Sequence, residues 1–290
     1  MDIPNQSIKK RYTQQNNNNS DIIEEDTLNI IQLNKQRGKA PSSLLVHKAN
    51  ELKTDLVLIQ EPYNINKEII GPGSWLLLYK PTDKTPKTCI GVRNKNIDIA
   101  LIPELSSSII TTAIIQTNIK VFLLNVYLSP YMEDEKGVEE IANVLKKINS
   151  RNIIVAGDIN AKSPVWYNIQ EDKRGRMIVD LMKEYDLISV NMSDHPTFFT
   201  AQARGWTDVC LMTNELAQNI KNCETLLTIT ASDHRIISTQ IGTMKHRSQR
   251  QINYVKHINW ELFKRLFNDN WTNTGNKFTI SEGTSVYIYC

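Results

Sequence analysis

Residues 152–160 read NIIVAGDIN, an apolar run from Ile153 to Ala156 that ends on Gly157, Asp158, Ile159 and Asn160. A short continuous apolar run bounded by a turn signal reads as a strand covered on both faces. Working outward, an amphipathic helix lies on each side. Val138, Ile141, Ala142, Leu145 and Ile148 share one helical face before the run. Met177, Ile178, Leu181, Met182 and Tyr185 share one after it. Further upstream, strand-like runs follow each other directly: Trp75 to Tyr79, Thr88 to Val92, Ile97 to Ile102, Ile109 to Ile115 and Val121 to Tyr127. Turn signals such as Gly71-Pro72-Gly73 and Thr117-Asn118 separate them. Toward the N-terminus, Leu28 to Leu33 and Asp55 to Gln60 read as strands. Between them Leu44, Leu45, Ala49 and Leu52 recur at helical spacing after Pro41. Strands return at Thr197 to Thr200, Trp206 to Met212 and Ile236 to Ile241. The pattern predicts an α/β fold of two packed β-sheets flanked by helices. The strand-only stretch from 75 to 127 breaks the βαβ alternation of a doubly wound sheet.

Composition narrows the class. The 290 residues carry 34 Lys+Arg against 31 Asp+Glu, a net charge of +3, with 40% apolar residues. Such usage is ordinary for a globular chain. Cys89, Cys210, Cys223 and Cys290 contain no C-x-x-C pair, so no zinc ribbon or disulfide framework is encoded, and a reducing intracellular setting is expected. No apolar run approaches the ~18 residues of a membrane span. Residues 1–26, with the tract Gln14 to Asn19, read as a disordered polar segment of net charge −2. Lys9-Lys10-Arg11 has the composition of a short nuclear-import signal, so a nuclear location is the expectation. Residues 243–258 read as a basic linker, and residues 243–290 together carry +4. Trp260, Phe263, Leu266, Phe267 and Trp271 mark an aromatic helix within 259–290, read as the start of a region that the chain does not complete. The body, 27–242, is left with +1. Charge alone therefore says little about a nucleic-acid partner.

Polar residues cluster where apolar strands end: Asn34 in IIQLN, Glu61 in VLIQEP, Tyr127 in LLNVY, Asp158 and Asn160 in VAGDIN, and Asp233-His234 in TASDH. Asp208 in GWTDVCL sits inside a short strand-like run. Rigid strand ends are where catalytic groups are held to tolerance. Each also has a plain reading, since Gly157-Asp158 suits a turn, Ser232-Asp233-His234 a cap or loop, and Glu61 a solvated strand end. As a set they mean more. Four converging carboxylates would repel one another unless a divalent cation neutralised some of them. Oxygen donors without a Cys or His cluster favour Mg²⁺ over Zn²⁺.

This ordered set, with Gln60-Glu61-Pro62-Tyr63, Asn160 to Trp166 (NAKSPVW), Arg174-Gly175 and Pro196-Thr197-Phe198, resembles the endonuclease/exonuclease/phosphatase superfamily with its DNase-I-like fold. Within that superfamily Gln60-Glu61-Pro62-Tyr63, Asn160 to Trp166 and Arg174-Gly175 look like the endonuclease domain of non-LTR retrotransposons. The resemblance spans about Leu28 to Ile241. It implies a DNase-I-like four-layer α/β sandwich and a Mg²⁺-dependent (or Mn²⁺-dependent) endonuclease that hydrolyses a phosphodiester of double-stranded DNA. It implies neither a membrane partner nor a small-molecule cofactor. In such proteins a reverse transcriptase follows, and none is expected within this chain. By the same resemblance Glu61 is the principal metal ligand, with Asn34 and Asp233 in the metal shell. Asp158 positions or deprotonates the attacking water, and Asn160 holds that water or a phosphate oxygen. His234, oriented by Asp208, and Tyr127 contact the scissile phosphate. Thr207 departs from the Ser-x-Ile-Asp often found before the aspartate. For DNA contacts the candidates are Arg204, in the loop between two strand signals, Lys162 and Arg174. Alternatives from the same fold are an abasic-site endonuclease, an inositol polyphosphate phosphatase, a sphingomyelinase, or a catalytically inactive decaying copy.

Overall fold

The computed structural model describes residues 25–117 and 119–244. The polar N-terminal tract, Lys9-Lys10-Arg11 and the aromatic helix expected within 259–290 lie outside the described residues. In chain order the elements are β1 (Glu25–Asn34), α1 (Lys39–Glu51), β2 (Leu56–Gln60), β3 (Asn64–Ile65), β4 (Glu68–Ile69), β5 (Leu76–Leu78), β6 (Thr88–Val92), β7 (Asp98–Leu101), β8 (Ile110–Gln116) and β9 (Lys120–Tyr127). There follow α2 (Asp134–Lys147), β10 (Ile153–Asp158), α3 (Lys173–Glu184), β11 (Leu187–Ser189), β12 (Phe198–Phe199), β13 (Arg204–Gly205), β14 (Asp208–Thr213), α4 (Asn214–Ala217), β15 (Ile220–Thr225) and β16 (Ile237–Met244). The first strand begins at Glu25, two residues inside the segment read as disordered, and the last runs two residues into the expected linker.

Two six-stranded sheets form, in the orders β15-β16-β1-β2-β6-β5 and β11-β14-β10-β9-β8-β7. In each the central pair is parallel, β1 with β2 and β10 with β9, and the flanking pairs are antiparallel. Each parallel pair is bridged by one helix, α1 in the first sheet and α2 in the second, as parallel strands require.

Side-chain alternation explains the continuous apolar runs. Leu28 and Ile30 of β1, Leu56 and Leu58 of β2, and Ile154 and Ala156 of β10 enter a core between the sheets. Ile31, Leu33, Val57 and Ile59 face the opposite way, toward Leu45 and Ala49 of α1. Ile153 and Val155 pack outward against Ile141, Leu145, Ile178 and Leu181 of α2 and α3. The result is the four-layer sandwich expected: helix, sheet, sheet, helices. Among the described residues no helix is long and apolar enough to cross a membrane. Among the described residues Cys89, Cys210 and Cys223 are free and buried.

The inter-sheet layer is not wholly apolar. Gln60 Nε2 donates to Asn125 Oδ1 at 2.6 Å, and Asn125 Nδ2 donates back to the carbonyls of Ile59 and Cys89. The Thr88 and Thr111 hydroxyls meet at 2.8 Å, and Gln32 Nε2 reaches the Val209 carbonyl. These bonds hold the sheets in one register where slippage would otherwise cost little, and they lie toward the strand ends that carry the polar residues.

Candidate active site

The C-terminal ends of β1, β2, β9 and β10 and the start of β14 meet at one end of the sandwich. Asp158 closes β10, pairing with Tyr127 of β9 on one side and Asp208 of β14 on the other. Gly157, just before it, is in the strand and not in a turn. Its φ of +143 suits glycine, and a Cβ there would lie 2.0 Å from the Val126 carbonyl oxygen. Only a residue without a side chain lets β9 and β10 come this close.

Asp158 is 1% exposed. Its Oδ2 accepts from Asn34 Nδ2 at 2.8 Å, and its Oδ1 from the Asn160 backbone N–H at 3.2 Å. Burial, followed by the neighbouring Asp208 charge, raises its pKa to about 7, against the opposing pull of His234 and Asn34. Asp208 Oδ2 lies 2.9 Å from His234 Nδ1, and His234 Nε2 lies 3.9 Å from Asp158 Oδ2. Burial works to lower the His234 pKa, but the carboxylates of Asp208, Asp158 and Asp233 outweigh it and hold the imidazole up at about 9. His234 is therefore a cation at neutral pH. The edge of the Phe198 ring closes its flank, with centroids 5.2 Å apart.

Several supports around this pair escape sequence reasoning. The Thr197 hydroxyl accepts from the backbone N–H groups of Thr207 and Asp208, fixing the start of β14. Thr207, the local departure from the family pattern, donates its hydroxyl to Asp208 Oδ2 at 3.1 Å. Ser232 Oγ donates to the Asn34 carbonyl, tying the segment before His234 to the end of β1. Gln36 grips Asp233 twice, Nε2 donating to its carboxylate and Oε1 accepting from its backbone N–H. Thr197, Thr207 and Ser232 lie within stretches that the sequence singles out, but these bonds are set by the fold, and Gln36 lies outside all of them.

Glu61 follows β2 at φ +43, and its backbone N–H donates to the Lys87 carbonyl. Its Oε1 pairs with Arg37 Nη2 at 3.1 Å. Tyr127 sits between Glu61 and Asp158: burial first, then the charges of those two carboxylates, push its pKa well up, so its hydroxyl stays protonated. Asn160 holds φ +47 and donates Nδ2 to the Leu128 carbonyl. The structure thus brings Asn34, Glu61, Tyr127, Asp158, Asn160, Asp208, Asp233 and His234 to one end of the molecule, with Asp233 exposed at the rim.

Asp158, Asp208 and His234 can place one donor atom each within 4.8 Å. Asp208 Oδ2 and His234 Nδ1 are already committed to each other, so we read this trio as a hydrogen-bonded acid–imidazole pair beside a second acid. The chemistry nevertheless suits a hard cation. Asp208 Oδ1 is buried without a partner among the described residues, and Asp158 carries an upward-shifted pKa, both signs of uncompensated negative charge. Glu61 adds a further carboxylate, beside the Arg37 guanidinium and the Tyr127 hydroxyl, while Asn34 and Asp233 each commit an oxygen to Gln36.

Of the three DNA-contact candidates, one is corrected. Arg174 is buried, and its five N–H donors are all used inside the protein. Nε donates to Asp134, Nη1 to the carbonyls of Ile159 and Asn160, and Nη2 to those of Ser129 and Met132. It pins the turn after Asp158 and has no donor left for a phosphate. Gly175 beside it allows that approach, since a Cβ there would meet the Lys162 carbonyl at 1.9 Å. Lys162 and Arg204 are exposed. Trp166 is core, its Nε1 donating to the Ala161 carbonyl.

A family model described as endonuclease-reverse transcriptase matches residues 121–238. Among solved structures, the endonuclease domain of TRAS1, a telomere-specific non-LTR retrotransposon, is similar with a TM-score of 0.69 and 27% identity, over 74% of this chain and 98% of that one. The AP endonuclease LMAP from Leishmania major shares the fold with a TM-score of 0.60 and 14% identity, over 76% of this chain and 88% of that one. An AP endonuclease from Archaeoglobus fulgidus does so with a TM-score of 0.56 and 17% identity, over 73% and 98%. Comparison with curated proteins gives no match.

Proposed function

Because the chain belongs to the DNase-I-like endonuclease/exonuclease/phosphatase superfamily, we propose that it is a divalent-metal-dependent endonuclease of the retrotransposon type, nicking double-stranded DNA by phosphodiester hydrolysis. The observation that carries this reading is the Asp208–His234 pair at 2.9 Å, with His234 Nε2 facing Asp158. An imidazole kept charged beside a carboxylate with a pKa of about 7 gives an acid and a base at neutral pH.

Asp158 takes a proton from the attacking water, positioned for that task by Asn34 and the Asn160 N–H. The water oxygen bonds to phosphorus in line with the departing 3′-oxygen, which takes a proton from solvent as its bond to phosphorus breaks, leaving a 3′-hydroxyl and a 5′-phosphate. His234, with Nδ1 held by Asp208, turns Nε2–H toward a non-bridging oxygen and stabilises the charge that builds there. Tyr127, protonated, donates to the same phosphate. Asn160 orients the water or a phosphate oxygen through its carboxamide. Mg²⁺ or Mn²⁺, held by Glu61 with Asn34 and Asp233 nearby, would supply further charge neutralisation at the phosphate. Lys162 and Arg204 are the exposed cations proposed to meet DNA.

Conversion of supercoiled plasmid to open circles tests this directly. Nicking is expected in Mg²⁺, is absent in EDTA, and falls about 10³-fold in Asp158→Ala and in His234→Ala. A folded wild-type protein that leaves the plasmid intact in both Mg²⁺ and Mn²⁺ sinks the proposal. Faster cleavage of an abasic duplex than of intact DNA moves the substrate to abasic sites.

A further inference from the structure

We propose that Phe199, Arg204 and Arg235 form a phosphate-binding site that grips the DNA backbone next to the scissile position. The inference rests on the nuclease reading above and adds two residues, Phe199 and Arg235, that no sequence motif marks.

The site is built on a small sheet. In the hairpin β12–β13, Phe198 pairs with Gly205 and Phe199 with Arg204. The Thr200 hydroxyl closes its turn by accepting from the N–H groups of Gln202 and Ala203. The other edge of β12 meets the segment that carries His234. Phe198 and His234 form an antiparallel bridge, the Phe199 N–H donates to the Asp233 carbonyl at 2.7 Å, and the Arg235 N–H donates to the Thr197 carbonyl at 2.7 Å. Alternation of side chains then sends Phe198 and His234 to one face and Phe199, Arg204 and Arg235 to the other.

On that second face the two guanidinium carbons lie 5.1 Å (Arg204) and 4.6 Å (Arg235) from the centroid of the same phenyl ring. Each is attracted to the ring, yet the two cations repel one another. Arg235 is further fixed by donating Nη1 to the Pro196 carbonyl. Among the described residues, neither arginine has a carboxylate within ion-pair distance. Anions beside the guanidiniums relieve the repulsion, and guanidinium forks match phosphate oxygens. A base edge takes one bidentate arginine, whereas two arginines flanking one ring from neighbouring strands suit the run of a phosphodiester backbone. The adjoining residue, His234, is the one proposed to meet the scissile phosphate from the other face of this sheet, which puts the arginine pair at the border of the same DNA site. Contacts of this kind set position and orientation without reading sequence.

The test is binding of a 30-base-pair duplex by fluorescence anisotropy in EDTA, over a salt series, so that cleavage plays no part. Arg235→Gln and Arg204→Gln are each expected to weaken binding about 3- to 10-fold. Each should also lower the slope of log K against log salt by about 0.9, on duplexes of unrelated sequence alike. Phe199→Leu should weaken binding with the slope kept. Arg204 is exposed, so its variant is readable even if Arg235→Gln unfolds, and thermal melts report which has happened. Unchanged affinity and slope in Arg204→Gln, or losses confined to particular sequences, overturn the phosphate site while leaving the nuclease reading intact. Wild-type protein that binds but never nicks overturns the nuclease reading while leaving the phosphate site intact, and wild type that binds no duplex overturns both.

Discussion

In the first sheet the row across the ends of β1, β2 and β6 is Asn34, Gln60 and Thr88. In the second sheet the corresponding row, across β9, β10 and β14, is Tyr127, Asp158 and Asp208. The strand directions match, and so does the helix bridging each parallel pair. Only the chemistry differs. The neutral row is spent on holding: Gln60 binds Asn125, Thr88 binds Thr111, and Asn34 reaches across to Asp158. The charged row is stabilised by those neighbours and left with unbalanced carboxylate character, as the raised Asp158 pKa and the unpartnered Asp208 oxygen record. One half of the molecule thus serves as the brace for chemistry performed by the other, a division that burial alone would not reveal, since Gln60, Thr88, Asp158 and Asp208 are all buried.

Breaking the support beneath the charged row should have the largest effect. Arg174→Met leaves Asp134 and four carbonyls without their donor, and is expected to cost about 3–5 kcal/mol in urea unfolding. An unmoved midpoint would refute the pinning role. Converting the charged row to the neutral type is the next step. Asp158→Asn keeps an acceptor for Asn34 and removes a charge that the folded site disfavours, so in EDTA its melting temperature should rise by about 2–4 °C while nicking is lost. A fall in melting temperature would mean that the carboxylate is a net support. On the neutral side, Thr88→Val should cost about 0.5–1.5 kcal/mol with the nicking rate of the folded fraction unchanged.

The last test is the pH dependence in EDTA. His234 has a folded-state pKa raised from 6.5 to about 9, so its contribution is complete below about 6.5 and is lost as pH rises through about 9. Asp158, raised from 3.8 to about 7, loses its contribution as pH climbs between those values. His234→Gln should flatten the upper window and Asp158→Asn the lower one in unfolding free energies measured from pH 4 to 10. No change in either window would show that the two pKa values are not perturbed by folding.

These strands are readable because they are buried on both faces: the apolar run marks Thr88 to Val92 to the residue, and NIIVA and DLVLIQ fall within one or two residues of β10 and β2. The edge strand β15, with IKNCET, lacks an apolar run, and β11 has only three residues, so neither leaves a periodic trace. The same limit applies within the site. Residues that act at strand ends stand out as polar interruptions, but Gln36 and Arg235 act through folding that brings distant loops together. Arg174 shows the converse. An arginine opening a helix is normally solvated, and only the tertiary structure shows carbonyls from two loops surrounding it.

Gly157 carries one more implication. Because β9 passes so near, every one of the other nineteen amino acids would bring at least one carbon into the Val126 carbonyl. No graded series of replacements exists there, and no conservative choice. The position behaves as a mutational fuse, for any single change parts the two strands that hold Tyr127 beside Asp158 and disables the site in one event, leaving the residues thought to do the chemistry untouched.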